Sequence, residues 1–159
     1  MLSLAQDCTM FDPWQQRVVG AVAVMLAEEP NWRGNLHSLL AEEILPCSRH
    51  GKIALFLNFD RVPVGFITWA NLSEETEQRI LSTMDPWLHA SEWNEGPSLW
   101  IRWLHLPDGF RREGLQLCLD ELFPEQPTAR LMLRRKAAIT ALELDRAVIA
   151  RWARRHHGG

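Results

Sequence analysis

The middle of the chain reads Val62-Pro63-Val64-Gly65-Phe66-Ile67-Thr68-Trp69-Ala70-Asn71-Leu72-Ser73. Its apolar and β-branched residues predict a strand over 64–70. Ser73, followed by two glutamates, predicts the start of a helix that runs to about Thr83. A second apolar run over 52–59 precedes this stretch, and Asp60-Arg61-Val62-Pro63 between the two is typical of a turn. We therefore expect a buried β-hairpin that leads directly into a capped helix.

Further helices and strands are predicted on both sides of this hairpin. The helices are expected at 14–28 after the cap Asp12, at 36–45 before Pro46, at 111–123, and from the cap Asp145 to His157. Additional strands are expected at 98–106, 128–133 and 139–144. This order predicts an α+β fold, with a mixed central sheet of about five strands flanked by helices. Residues 1–12 read as a loose leader and residues 13–157 as a single domain.

Composition limits the classes of function. The chain has 159 residues, 47% hydrophobic and 23% charged, with a formal net charge of −3. The chain has no excess of basic residues, so its composition gives no reason to expect nucleic acid as a partner. We see neither a signal peptide nor an apolar run of about 18 residues, so no membrane span is expected. Cys8, Cys47 and Cys118 are widely spaced, which predicts no metal site and no disulfide framework. The cytoplasm is the expected compartment.

Basic residues are concentrated toward the end of the chain, and the aromatic composition is unusual. The last thirty residues are basic, which fits either a solvated helix face or a docking surface for an acidic partner. The candidates for docking are Arg134, Arg135, Lys136, Arg151, Arg154 and Arg155. The chain has eight tryptophans and no tyrosine. An indole combines a large apolar face with one donor, so some of these rings are expected to line a groove.

The hairpin and its surroundings also resemble a known family. Pro63-Val64 and Trp69-Ala70-Asn71-Leu72-Ser73 resemble a segment of the RTX toxin-activating lysine acyltransferases. Further matches in the family's order are Gly20, Ala27, Pro30, Leu45, Pro46, Trp93, Gly96, Trp100, Pro107 and Gly109. These enzymes move a fatty acyl group from acyl carrier protein to lysines of a protoxin. The resemblance covers roughly residues 20–110.

The resemblance implies a fold, a donor and partners. The fold would be a GNAT-like acyltransferase sandwich over residues 13–157. The donor would be a fatty acyl thioester of acyl carrier protein, with no other cofactor. The acceptor would be a lysine-bearing protein, a secreted toxin in the resembled family, in which homodimers are common.

Two positions depart from the family. Its catalytic histidine falls in a Ser-Pro-x-His pattern, which here reads Glu29-Pro30-Asn31-Trp32. Its catalytic aspartate falls at Trp103, or at Arg102 if the register slips by one. Amide formation requires the lysine ammonium to lose a proton. An indole N–H can only donate, and a guanidinium stays charged, so neither residue can accept that proton.

Other residues are candidates for the missing proton acceptor. His105 lies two residues after Trp103 and is predicted on the same face of the strand. His37 lies one turn into the second helix, and Glu29 is a further candidate. The sequence is also compatible with each of these side chains being a surface or partly buried residue with no role in catalysis. The candidates for an acyl groove are Trp69, Trp100 and Trp103. Two interpretations stay open: a lysine acyltransferase with a replaced base, or an inactive homologue that binds a toxin-like partner, an acyl chain or an active homologue.

Overall fold

The computed structural model describes residues 12–135 and 138–148, which form five α-helices and five strands. The helices are α1 (Pro13–Glu28), α2 (Leu36–Leu39), α3 (Leu45–Arg49), α4 (Glu74–Thr83) and α5 (Arg111–Leu117). The strands are β1 (Ile53–Leu57), β2 (Pro63–Leu72), β3 (Ser98–His105), β4 (Thr128–Arg135) and β5 (Ala138–Asp145). Two π-helical segments, Leu40–Ile44 and Cys118–Leu122, follow α2 and α5, and a 3-10 turn covers Ala90–Trp93.

The strands form one mixed sheet in the order β1-β2-β3-β4-β5. All neighbours are antiparallel except β3 and β4, which run parallel. The predicted α+β fold with a five-stranded mixed sheet is therefore confirmed. The parallel ladder is short, because only Trp100 with Arg130 and Ile101 with Leu131 are paired. Beyond Ile101 and Leu131 the two strands are no longer paired, although both continue.

Both faces of the sheet are covered. On one face, apolar residues of α1, α2 and the first π segment pack against the sheet around Phe66 and Trp100. On the other face, α5 and the second π segment pack around Ile67 and Ile101. Alternate residues of β2 therefore enter opposite cores, as a strand buried on both faces requires.

The second predicted helix does not end where the sequence suggested. It was expected to stop before Pro46, but Pro46 lies in the first turn of α3, which continues to Arg49. The preceding π segment explains this difference, because the N–H of Leu45 bonds to the carbonyl of Leu40 across a wider turn. The wider turn leaves room for the proline ring, and the first turn of a helix does not need its missing N–H.

The central hairpin and its capped helix are confirmed, with shifted ends. β1 ends at Leu57 rather than 59, because Asn58 already accepts a hydrogen bond from the N–H of Val62 at 2.9 Å and closes the turn. Phe59 in this turn is fully exposed. β2 continues to Leu72, and the Ser73 hydroxyl then accepts a hydrogen bond from the N–H of Thr76 at 3.3 Å.

Both ends of the chain lie partly outside the described residues. Asp145 accepts a hydrogen bond from the N–H of Ala147, as expected for the cap of a last helix. Most of that predicted helix, from 149 to 157, lies outside the described residues, as does the predicted leader up to residue 11. Within the described part of the chain, none of the helices has the length and apolar character needed to cross a bilayer.

Arg146 joins the end of β5 to the end of the second π segment. Its guanidinium donates to the carbonyl oxygens of Leu119, Phe123, Pro124 and Gln126. Replacing Arg146 by alanine leaves these carbonyls without their donor, so we expect the free energy of unfolding to fall by about 1–3 kcal/mol. Urea denaturation followed by circular dichroism measures this change. Arg17→Ala, at an exposed position of α1, is the control, and equal stability of both variants would contradict the assignment.

Candidate active site

A β-bulge in β3 brings neighbouring residues to one face of the sheet. Thr68 pairs with Trp103 and Trp69 pairs with Ile101, which leaves Arg102 as the extra residue. Arg102 and Trp103 therefore both face the layer formed by α1 to α3, as their contacts below show. The sequence left open which of them occupies the family's aspartate position, and the bulge directs both toward the same region. Bulges of this kind often re-aim side chains beside active sites.

Trp32 and Trp103, at the positions that the resemblance associates with catalysis, are in contact. The ring centroids of Trp32 and Trp103 lie 6.0 Å apart with an interplanar angle of 48°. Trp32 follows α1, and its backbone N–H bonds to the carbonyl of Glu29 at 3.1 Å. Both indole nitrogens are buried and have no acceptor among the described residues. The two residues that the resemblance places at catalytic positions thus lie side by side, and both are apolar rings.

A histidine and a carboxylate lie beside the indole pair. His105 at the end of β3 places its Nε2 atom 3.2 Å from Oε2 of Glu29, the residue that follows α1. The contact is not an aligned hydrogen bond, and it becomes an ion pair when the imidazole is protonated. The His105 ring also stacks on Phe66 with centroids 5.4 Å apart. The side chains of His105 and Glu29 are 22% and 38% exposed, so each is partly accessible to solvent.

Gly65 helps to fix the position of His105. Phe66, its neighbour in β2, pairs with His105 across the sheet. A Cβ atom on residue 65 would collide with the carbonyl oxygen of His105 and with the side chain of Leu106. Only glycine allows this close approach, so the end of β3 is held where its imidazole reaches Glu29.

His105 and Glu29 line a cleft of about 370 Å³, here called the histidine cleft. An adjoining cleft of about 390 Å³, the apolar cleft, shares residues Val64, Leu106 and Pro107 with it. The other walls of the apolar cleft include Phe56, Leu57, Phe59, Phe110 and Leu117. An apolar groove therefore opens directly beside the imidazole.

A third cleft lies where β3 and β4 part. It has a volume of about 510 Å³ and shares Arg111 with the histidine cleft. We call it the arginine cleft, and it is lined by Arg102, Trp103, Leu104, Arg111, Leu131, Met132, Leu133, Arg134 and Arg135. The three clefts follow one another along the end of the sheet at which the parallel strands separate.

Arg102, which lines the arginine cleft, forms a buried ion pair with Glu43. Arg102 donates to Glu43 twice, from Nε to Oε1 at 2.9 Å and from Nη2 to Oε2 at 2.7 Å, and both side chains are fully buried. Thr68 donates to Glu43 Oε1 at 2.9 Å, and Arg102 also donates to the carbonyl of Pro86 at 2.6 Å. Glu43 lies in the π segment Leu40–Ile44. Sequence reasoning did not single out Glu43.

Arg134 is only partly exposed and packs against two indole rings, whereas the sequence predicted a docking residue on the surface. Its guanidinium carbon lies 4.5 Å from the centroid of the Trp103 ring and 5.4 Å from that of Trp87. Burial lowers the pKa of Arg134 to about 10, and the carboxylate of Glu43 acts in the opposite direction. Arg135 is exposed. The remaining docking candidates lie outside the described residues: Lys136, Arg151, Arg154 and Arg155.

The other predicted candidates do not reach the histidine cleft. His37 is exposed on α2. Trp69 packs edge-on against Phe123 with centroids 5.3 Å apart, in the core on the far face of the sheet. Trp100 is fully buried and donates its N–H to Glu77, so it has no exposed surface with which to line a groove. Of these three proposed groove tryptophans, Trp103 is the one that lines the arginine cleft.

Metal and thiol chemistry have no support among the described residues. No group of three His, Cys, Asp or Glu side chains in this part of the chain is placed to hold a metal ion. Burial raises the pKa of the Cys118 thiol to about 12 and that of Cys47 further. Both thiols therefore stay protonated near neutral pH, which makes them poor nucleophiles. Cys8 lies outside the described residues.

Fold and site together define an α+β protein with a histidine–carboxylate pair at the end of a sheet whose parallel strands separate. A sequence model described as "HlyC: RTX toxin acyltransferase family" matches residues 13–148, and the chain belongs to this family. It is 36% identical over 88 residues to the leukotoxin-activating lysine-acyltransferase LtxC of Aggregatibacter actinomycetemcomitans, covering 55% of this chain and 51% of the relative.

Other relatives are similar to the same degree. The protein-lysine myristoyltransferase HlyC of Escherichia coli is 38% identical over 88 residues, covering 55% of this chain and 51% of the relative. The RTX-I toxin-activating lysine-acyltransferase ApxIC of Actinobacillus pleuropneumoniae is 33% identical over 108 residues, covering 60% and 62%. The aligned part of the chain spans about half the length of the first two of these relatives.

Proposed function

We propose that this protein transfers a fatty acyl group from acyl carrier protein to a lysine of a partner protein, with His105 as the general base. The observation that carries the proposal is the contact of 3.2 Å between His105 and Glu29, in an open cleft beside the family's catalytic positions. Of the candidate bases, His105 combines an acceptor nitrogen with a carboxylate partner. Such a partner stabilises the imidazolium that forms when the base accepts a proton.

The proposed reaction is amide formation at the expense of a thioester. His105 takes a proton from the lysine ammonium, and the free amine attacks the thioester carbonyl. The C–N bond forms as the C–S bond breaks, and the second proton of the nitrogen neutralises the departing thiolate. Glu29 holds the charged imidazole in place. Positioning both reactants in one cleft supplies a further large part of the rate.

The clefts near His105 suggest where the different parts of the acyl donor would bind. The apolar cleft adjoins the histidine cleft and would hold the acyl chain. A mixed sheet with two parallel strands that part is compatible with the GNAT-like acyltransferase sandwich, whose thioester would lie at this opening. Arg135, Lys136, Arg151, Arg154 and Arg155 remain the proposed docking residues for the acidic carrier.

We also propose an acceptor, a compartment and an assembly state. The acceptor would be a secreted toxin, since the relatives are described as toxin-activating enzymes. The reaction would take place in the cytoplasm, and the active form would be a homodimer.

The second candidate function is a homologue that binds without catalysis. The contact between Trp32 and Trp103 favours it, because two indoles fill the space at the family's histidine and aspartate positions. Such a protein would hold a toxin-like partner, an acyl chain or an active homologue. The pairing of His105 with Glu29 favours the enzyme instead, since an inactive scaffold has no need of it.

Mass spectrometry of a candidate partner protein separates the two functions. The partner is incubated with the full chain and with acyl carrier protein charged with myristate, and lysine peptides are then examined. The enzyme is expected to add one acyl mass per modified lysine within minutes. Carrier without the enzyme is the control for spontaneous transfer. Partner binding without any added mass would support the non-catalytic homologue and overturn the proposal.

A further inference from the structure

The chain carries its positive charge almost entirely on arginine. Of its 17 lysine and arginine residues, two are lysines, Lys52 and Lys136. Arg111 lines both the histidine cleft and the arginine cleft, and no lysine is among the described residues that line these two clefts or the apolar cleft. A guanidinium stays protonated near neutral pH, so arginine brings a positive charge without a nucleophilic amine. This difference is important in an enzyme whose proposed product is an acylated lysine.

Lys52 is held away from the clefts. Its Nζ atom donates to Oδ1 of Asn71 at 2.7 Å and to Oδ1 of Asn94 at 3.1 Å. From Lys52, β1 runs to Leu57 in the wall of the apolar cleft, about 16 Å away at about 3.3 Å per residue. Burial lowers the pKa of Lys52, so its amine is neutral more often than that of an exposed lysine. Its position, rather than its charge, therefore keeps it from a thioester bound near His105. Lys136 lies outside the described residues.

Arg111 occupies a position at which an amine would meet the acyl donor. It is the first residue of α5, and it is exposed. The histidine cleft is also lined by His105 and by the carboxylates of Glu28, Glu29 and Asp108, whose negative charge a cation at position 111 partly offsets. A lysine would supply the same charge, but its amine would share a cleft of about 370 Å³ with the proposed base. A nucleophile held so close reacts as an intramolecular group, with an effective molarity of up to about 10⁵–10⁸ M.

We propose that arginine at position 111 protects the enzyme from acylating itself. The inference rests on the proposed function, because it requires a bound acyl thioester and an active base. With a lysine at this position, His105 would take a proton from the ammonium, and the amine would attack the thioester carbonyl. The C–N bond would form as the C–S bond breaks, and the second proton of the nitrogen would neutralise the thiolate of the carrier. The acyl chain would then be fixed in the cleft as a stable amide, which blocks further turnover.

Mass spectrometry of the full chain carrying Arg111→Lys, incubated with myristoylated acyl carrier protein and no acceptor, tests this inference. One acyl mass per chain is expected at the new lysine, at a rate that does not depend on protein concentration, as an intramolecular reaction requires. Arg17→Lys, at an exposed position in the first half of α1, places the same amine far from the clefts and should react at least about tenfold more slowly. Arg111→Gln removes the charge without adding an amine, and no acyl mass is expected on a lysine of this variant.

A second variant, Asp108→Lys, places an amine in the same cleft and should also be acylated, so the test does not depend on the folding of one variant. If the Arg111→Lys enzyme acylates a partner protein while its new lysine stays unmodified, the inference is overturned and the proposed function stands. Equal acylation of Arg17→Lys, or an acyl mass on Lys52 or Lys136 of the unmodified chain, would have the same consequence. If the unmodified chain transfers nothing to the partner, the proposed function fails and this inference fails with it.

Discussion

Replacing His105 by asparagine is expected to lower the turnover rate of acyl transfer by about 10²–10⁴-fold, the usual contribution of a general base. Asparagine occupies similar space and can still hydrogen-bond, but it cannot accept a proton near neutral pH. Because the imidazole acts on the lysine proton and not on donor binding, KM for the acyl carrier thioester should change little. Steady-state rates measured by mass spectrometry, with thioester concentration varied, separate these two constants.

The variant His37→Asn is the matched control. It makes the same chemical change at an exposed position of α2, so the rate should stay within about twofold of the unmodified enzyme. Glu29→Gln removes the carboxylate that faces the imidazole at 3.2 Å. We expect a loss of about tenfold, moderated by the solvent exposure of the pair. Full activity of His105→Asn would show that His105 is not the general base.

The parts of the fold that local patterns determine were predictable. Alternating apolar runs, the turn at 60–63 and the cap Ser73 specify the hairpin and the helix after it, and the structure contains them. The end of the second helix was wrongly predicted, because a π segment changes what Pro46 requires of its neighbours. Nothing in local propensity distinguishes that segment from an ordinary helical turn.

The candidate site depends on pairings between distant segments, and these were predictable only in part. His105 and Glu29 were both candidates, but their contact depends on how α1 ends beside β3. The bulge at Arg102 is a property of the β2–β3 ladder, which a single strand does not reveal. One signal was available: Glu43 continues the apolar stripe of Leu36, Leu39 and Leu40. A carboxylate on such a stripe indicates a buried cationic partner.

That buried partner leads to the largest expected effect on stability. Replacing Arg102 by methionine leaves the Glu43 carboxylate fully buried with Thr68 as its remaining hydrogen-bond donor, and Arg134 at 3.9 Å. We expect the free energy of unfolding to fall by about 3–5 kcal/mol. Glu43→Leu should cost at least as much, because it leaves the buried guanidinium of Arg102 without its carboxylate. For a domain with about 5–15 kcal/mol of total stability, both losses are readily measured by urea denaturation.

The double variant Glu43→Leu with Arg102→Met shows whether the pair stabilises the fold or merely avoids an unpaired charge. Burying two ions is costly, so apolar replacements of similar volume often restore stability. We expect the double variant to regain most of the loss of either single variant, which gives a large coupling energy between the two positions. Arg134 is 26% exposed and can be hydrated once Glu43 is gone. If the two single losses simply add in the double variant, the residues do not act as a pair, and the hydrogen bonds of Arg102 to Glu43 contribute little to stability.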